Sequence, residues 1–408
     1  MKWFLLCLRN VMRNGHRTAL TMSIFAIGTT AVACALGFVS ASFHGLREAT
    51  IAAQVGHLQV GAPGQFDAFE SKPMATGLVP DILARTRQAL ADQPRVRYSM
   101  ERLHFEGLIA AGERTLAFVG TGVEPQLESR LSGAFAQVVA GDSLPGPDDP
   151  DTAKAVVAVD LARALGVQPG DRITLMATTQ QGALNALDLT VTGLYRTGIP
   201  ELDRRAVLVP LPTAQALIDT DRISRLVVVL DQTEQTDTVA AALARDLPGL
   251  QVRTWRELAP FYRQVVSLYG NFVLVLGAII LSVVCVSASN ALRISVMERV
   301  RERGTLRAFG IGQRRILGNF LVEGAVVAGL GALAGLLLAA VLSLAVNLSG
   351  IQMPAPPGRT TPYPLLIFIE PWGYALVAVA MVGVGVLSAA LSQASVRRLS
   401  IVQQLGHA

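Results

Sequence analysis

Charge, cysteine and lysine are all in short supply in this chain, and each scarcity removes a class of function. Charged residues are 16% of the total, whereas soluble domains carry roughly 25%. The deficit is made up by apolar residues, 51% of the chain, concentrated in four runs. The three cysteines are Cys7, Cys34 and Cys285, and none lies between 44 and 262. That stretch is therefore not held by disulfides, and no two thiols are close enough in sequence to suggest a metal site. The lysines are Lys2, Lys72 and Lys154, preceded by Met1, Ser71 and Ala153. None completes the G-x-x-x-x-G-K-[ST] phosphate loop. Between 44 and 262 the histidines are His44, His57 and His104, in no metal-ligand spacing, and no G-x-S-x-G elbow occurs. The expectation is a protein that is not an enzyme and holds no cofactor or metal of its own. A net charge of +5 could suggest nucleic acid, but the arginines bracket the apolar runs and read as membrane orientation.

The runs are 18–43, 264–292, 324–349 and 371–396, none containing Asp, Glu, Lys or Arg. Each exceeds the roughly 20 residues that cross about 30 Å of hydrocarbon. One central charge would cost about 2.5–3.5 kcal/mol on insertion, so its absence from all four is informative. A cleaved signal peptide is the competing reading of the first run, with Ala31-Val32-Ala33 as a cleavage site, but the run far exceeds the usual apolar core of roughly 7–15 residues. Positive charge gathers at Lys2, Arg9, Arg13 and Arg17, at Arg293 to Arg315 between runs two and three, and at Arg397-Arg398. The loop at 350–370 has only Arg359. The bias predicts cytoplasmic N- and C-termini, a cytoplasmic loop and helix at 293–323, a cytoplasmic tail at 397–408, and a large domain, 44–262, on the outer side. Small residues in run three (Gly324, Gly329, Gly331, Gly335) would permit close helix packing.

The outer domain reads as mixed α and β. Strands are expected at Ala155–Val159, Arg172–Ala177, Leu189–Tyr195 and Ala206–Pro210, with helices at Asp160–Leu165, ended by Gly166, and at Thr213–Ile218. A β-α-β unit follows at Arg225–Leu230, Thr236–Leu247 and Leu250–Thr254. Its counterpart near the start is His57–Val60, a helix at Asp81–Ala91, and strands near Arg97–Met100 and His104–Ala110. This predicts two lobes: a discontinuous one, 44–122 with 223–262, and an inserted one at 123–222. Gly141–Pro150 reads as a surface loop.

The stretch from Val296 to Ile311 mixes charges with the apolar anchors Val300, Leu306 and Phe309. A basic helix that merely enforces topology is one reading. Glu298 and Glu302 would not favour an anionic membrane, which points instead to docking of a soluble partner.

Here the chain resembles a family. Glu298-Arg299-x-Arg301-Glu302-x-Gly304-x-x-Arg307-Ala308-x-Gly310 is similar to the E-R-x-R-E-I-G-x-x-R-A-L-G segment of FtsX-like permeases, departing from it at Arg303 and Phe309. That superfamily includes the lipoprotein-releasing LolC/LolE subunits and the macrolide exporter MacB. Leu8-Arg9-Asn10-x-x-Arg13-Asn14 resembles the family's amphipathic helix, here at 1–17, and Leu165-Gly166-Val167-x-Pro169-Gly170-Asp171 resembles the outer domain of the lipoprotein-release branch.

The resemblance implies a fold of four transmembrane helices, one plus three, around a large extracytoplasmic α+β domain. It implies a multi-pass permease subunit in the bacterial inner membrane, with Glu298, Arg299, Arg301, Glu302, Gly304, Arg307, Ala308 and Gly310 contacting a separate cytoplasmic ABC ATPase. ATP and Mg would reside on that partner. A second copy or a related permease would complete the complex, and the cargo would be a lipoprotein or other amphiphile, with a periplasmic carrier as a further partner. Nucleic acid is not implied. The competing implication is an FtsX-type regulator that activates an external cell-wall hydrolase or relays a peptide signal.

Overall fold

The computed structural model of the chain describes residues 15–66, 77–132, 137–146, 153–298, 300, 305, 309, 311–354 and 362–396. They form two compact units: a helical one containing the apolar runs, and another comprising essentially Gly45–Gln264.

Among the described residues, four helices are long and apolar enough to span a bilayer. They are α1 (Gly15–Thr50), α9 (Pro260–Glu298), α10 (Gln313–Ser349) and α11 (Pro371–Val396). Three of these helices outrun their charge-free segments, because helix formation does not stop where the lipid does, while α11 coincides with its run. Helix α10 begins a full eleven residues before Gly324, with Arg314, Arg315 and Glu323 in its first turns.

Three of the four glycines in that run sit at close approaches. A Cβ on Gly331 would lie 2.8 Å from the Met22 carbonyl oxygen, and one on Gly335 would lie 2.5 Å from that of Ala26. A Cβ on Gly324 would lie 2.7 Å from the Ala389 Cβ. Gly329 is different: its nearest neighbour, Val382, is 3.8 Å away. So α10 presses α1 on one side and α11 on another. Thr30 adds an interhelical bond, donating from Oγ1 to the Gly335 carbonyl at 3.0 Å.

The segment before α11 is apolar but not helical, so its backbone needs other partners. Asn347 gives it two. Its Oδ1 accepts the Ile367 N–H at 2.8 Å, and its Nδ2 donates to the Ile367 carbonyl at 3.0 Å. The Phe368 N–H donates to the Gly37 carbonyl of α1 at 3.1 Å, and Ser40 bonds Glu370.

The second unit is built on ten strands. They are β1 (Leu58–Gly61), β2 (Val96–Ala111), β3 (Arg114–Val123), β4 (Gln137–Gly141), β5 (Lys154–Ala158), β6 (Arg172–Thr178), β7 (Leu184–Arg196), β8 (Ala206–Pro210), β9 (Arg225–Leu230) and β10 (Gln251–Thr254). The first half of β2 completes an antiparallel sheet in the order β10-β1-β9-β2. Helices α2 (Pro80–Ala91) and α7 (Thr236–Asp246) pack on it through Leu83, Leu90, Val239 and Leu243.

The second half of β2 belongs to something else. It pairs β3, which pairs β8; then β5, β7 and β6 follow in turn, and β6 returns to β2 at Gly107–Ala110. The six strands form a closed ring around Ile109, Ile173, Leu175, Leu189, Val191 and Val207. Closure removes free edges among those six. Strand β4 adds to the outside of β7. Helix α4 (Val159–Leu165) buries Leu161, Ala162 and Leu165 and ends at Gly166, whose φ of 79° is left-handed, as a glycine stop requires. Helix α6 (Leu211–Ile218) packs over β3, where Gly122 leaves room for Ala214.

Two features differ from the sequence reading. The strands expected at Arg97–Met100 and His104–Ala110 are one strand, because Glu101 and Arg102, which interrupt the apolar pattern, are buried and paired rather than turning outward. The inserted lobe expected at 123–222 is a barrel that also takes β3 and half of β2, so the structural division falls inside a strand. Of the expected loop Gly141–Pro150, residues 147–150 lie outside the described residues, as do residues 1–14 of the helix expected at 1–17, whose last three residues open α1.

Gly335→Val should lower stability by about 1–3 kcal/mol, because the added atoms meet backbone of α1, whereas Gly329→Ala should change it by less than about 0.5 kcal/mol. Thermal unfolding of the purified chain in detergent would compare them.

Candidate functional site

The charged segment after α9 was the sequence's strongest functional candidate. Of its eight residues Glu298 alone lies within the described part: it is exposed at the end of α9. Arg299, Arg301, Glu302, Gly304, Arg307, Ala308 and Gly310 lie outside the described residues. Three neighbours are described. Val300 is buried with Val296 against Phe320 of α10. Thr305 is exposed and accepts the Phe309 N–H at 3.0 Å. Phe309 is 81% exposed. The anchors thus divide: Val300 fixes the segment to the base of α10, and Phe309 offers an aromatic face outward. Sequence reading missed the Val296–Val300–Phe320 contact, although the i, i+4 valine spacing was a usable signal.

The second candidate is the stem of the second unit, where the chain enters and leaves its sheet. Helix α1 passes through a π-helical turn, Ile51–Val55, which ends at Gly56. Gly56 has a φ of 66°, and a Cβ there would lie 2.4 Å from Val227, so both conformation and space call for glycine. The chain enters the sheet through β1 and leaves it through β10, its antiparallel neighbour, with Leu58 opposite Thr254. At the way out, the Trp255 N–H donates to the His57 carbonyl at 3.0 Å. The Trp255 ring is fully buried, edge-on to Tyr262 at 4.9 Å, with the Arg256 guanidinium 5.3 Å from its centroid.

Polar groups tie this stem to the turn after β9. Arg47 pairs with Glu48 at 3.0 Å and with Glu234 at 3.3 Å. Buried His57 accepts the Leu230 N–H on Nδ1 at 3.2 Å, which leaves Nε2 carrying the proton toward Thr233 Oγ1 at 3.1 Å. Thr233 Oγ1 is in turn 3.5 Å from Glu48 Oε1. Burial lowers the His57 pKa, assisted by Arg47 and opposed by Glu48 and Glu234.

A third cluster lies where β2 passes from sheet to barrel. Arg102 donates to both carboxylate oxygens of Glu128, at 2.8 Å each from Nη2, with a further bond from Nε at 3.0 Å. This pins helix α3 (Pro125–Ser132) to β2. Arg225 lies directly opposite Arg102 on β9; it reaches Gln59 at 3.3 Å and stacks 4.9 Å over Phe66. His104, which feels both cations, has its Nδ1 3.2 Å from Thr121 Oγ1. Burial, then the charges of Arg225 and Arg102, push its pKa down to about 3. Among the described residues no group of His, Cys, Asp or Glu is arranged to hold a metal ion. The clusters fasten elements together; they do not assemble a nucleophile with a base.

Two family descriptions match the chain: a MacB-like periplasmic core domain over residues 18–246, and an FtsX-like permease C-terminal region over 272–401. The lipoprotein-releasing system transmembrane protein LolC of Xylella fastidiosa is 25% identical over 352 residues, covering 82% of this chain and 79% of its own. The macrolide export ATP-binding/permease protein MacB of Nitrobacter winogradskyi is 32% identical over 177 residues, 40% of this chain and 27% of its own. Among solved structures, the periplasmic region of MacB from Actinobacillus actinomycetemcomitans aligns over 53% of this chain and 95% of its own, at 12% identity and a TM-score of 0.38.

The Arg102–Glu128 pair and the neutral His104 can each be tested. Glu128→Ala leaves Arg102 buried without its carboxylate and should cost about 3–5 kcal/mol, read from thermal or denaturant unfolding. His104 is depressed in the folded state, so unfolded chain binds its proton first as pH falls. Its contribution is complete above about 6.5 and declines as pH drops toward about 3. His104→Gln should flatten the fall of the melting temperature between pH 6.5 and 4.

Proposed function

The chain belongs to the MacB-like periplasmic core domain family, carries an FtsX-like permease region behind that domain, and is a multi-pass inner-membrane ABC transporter permease; we propose that it couples ATP hydrolysis on a separate cytoplasmic subunit to release of a lipoprotein, or a similar amphiphile, from the outer leaflet. The observation that carries the reading is the breadth of the LolC match, which runs through membrane helices and external domain alike. The lysine positions support a separate ATPase, since none can complete a phosphate loop. ATP and Mg would then sit on that partner.

In this reading the N- and C-termini are cytoplasmic, as the arginine distribution favours. Glu298, Arg299, Arg301, Glu302, Gly304, Arg307, Ala308 and Gly310 form the coupling surface gripped by the ATPase, with exposed Phe309 beside them. Val296 and Val300, packed on Phe320, carry displacement into α10 as well as α9. The tight contacts of Gly331 and Gly335 pass it on to α1. That helix is uninterrupted from Gly15 to Thr50, so a shift at one end is felt at the other. A second permease, the same or related, completes the complex, and a periplasmic carrier receives the cargo. The absence of Asp, Glu, Lys and Arg from the four charge-free segments favours handling at the outer face over an ion-coupled route through the bilayer.

Reversing charges in the coupling surface (Arg301→Glu with Glu302→Arg) should reduce co-purification of the ATPase by about tenfold or more, roughly 1.4 kcal/mol, while the chain still enters the membrane fraction. Release is tested with the complex in liposomes carrying a fluorescent lipoprotein. ATP-dependent transfer to a soluble acceptor is expected. No transfer, with a cell-wall hydrolase recovered as the bound partner, would overturn the substrate in favour of a regulator.

A further inference from the structure

The stem carries a titratable group in an arrangement with only one workable protonation state. His57 lies beneath the last turns of α1, and both ring nitrogens are committed. Nδ1 faces a backbone donor, the Leu230 N–H at 3.2 Å, and Nε2 faces the Thr233 hydroxyl at 3.1 Å. A backbone N–H cannot act as an acceptor, so Nδ1 must stay unprotonated for this bond to exist. The charged groups around the ring come from two elements. Arg47 and Glu48 belong to α1, and Glu234 follows β9. Thr233 links the imidazole to Glu48, and Arg47 spans Glu48 and Glu234, so ring, helix stem and turn form one connected group. The backbone of His57 also accepts from Trp255, at the start of the stem that leads to α9.

We propose that His57 is a proton-operated latch: neutral, it holds the end of β9 and the following turn to the stem of α1; protonated, it releases the Leu230 amide and turns its charge toward Glu48 and Glu234. Protonation converts Nδ1 from acceptor to donor and sets two N–H groups against each other at the Leu230 contact. The carboxylates of Glu48 and Glu234 then offer the imidazolium a better partner than the peptide does. Acidification outside the cytoplasm would loosen the joint between the first stem and the sheet, while the barrel strands are untouched. Burial of the neutral ring places this response on the acid side of the ordinary histidine value. The latch is a property of the chain itself and stands or falls apart from any reading of cargo or ATPase.

Hydrogen exchange by mass spectrometry tests it on the full chain in detergent, from pH 7.5 in steps to a lower pH of about 4, well to the acid side of the ordinary histidine value, corrected for intrinsic exchange. The peptide containing Leu230 should lose about tenfold protection at the lower pH, while peptides from β7 keep theirs. His57→Asn, whose Oδ1 can still accept from Leu230 but cannot charge, should abolish the pH response; His57→Gln serves if the shorter side chain unfolds the domain. Unchanged protection at Leu230 in the unaltered chain would overturn the latch. So would an equal loss in the neutral variant, or a loss spread equally over β7.

Discussion

One strand has to satisfy two sheets at once, and the external unit depends on it. Strand β2 gives its first seven residues to β9 and the four residues Gly107–Ala110 to β6, with β3 along its other side from Arg102 onward. A strand that changes neighbours midway needs its side chains fixed at the crossover, and Glu101 and Arg102 sit there. Arg102 is tied to Glu128 on α3, and Glu101 is paired with Arg87 on α2. Two helices from different parts of the unit are thereby referenced to the same point on one strand. The buried Arg102–Glu128 pair adds little net stability against an apolar alternative, and the Arg87–Glu101 pair has its arginine exposed, so the contribution of both is to set position.

That crossover also explains what could and could not be read from the sequence. The four apolar helices were legible because hydrocarbon imposes a length and forbids charge, a constraint that leaves a direct trace in composition. Strands such as β5, β8 and β9 were legible as short runs of valine and leucine between turn residues. The continuity of β2 was hidden, since a buried Glu-Arg pair looks on paper like a solvated turn. Barrel closure was hidden too: Gly107–Ala110 meets Thr174–Ala177 across more than sixty residues, and neither segment announces its partner. The charged segment from Glu298 to Gly310 stood out by its spacing, and the structure describes too little of it to judge that reading, whereas the stem cluster of Arg47, Glu48, His57 and Thr233 was not legible, because those residues are brought together only by the fold.

The path of the chain through the external unit is economical. It enters on β1 and leaves on β10, and those strands are hydrogen-bonded neighbours. Load applied to either stem therefore reaches the same ladder within a few residues, where His57 and Trp255 share a backbone hydrogen bond. The barrel hangs from the far side of that sheet through β2 alone among the ladder's strands.

Asn347 has a further consequence, for what evolution can place at that position. Its amide imitates one residue of a neighbouring strand, giving a donor and an acceptor to Ile367 from a single planar group. Aspartate would leave the carbonyl of Ile367 without a donor, serine is too short to reach both atoms, and leucine offers neither function. Only another carboxamide keeps the chemistry, and glutamine moves it outward by a methylene. A half-buried polar residue near the end of an apolar helix is usually tolerated through some adjustable role; this one has a fixed grammar, in which a side chain stands in for the missing strand that would otherwise have to be built.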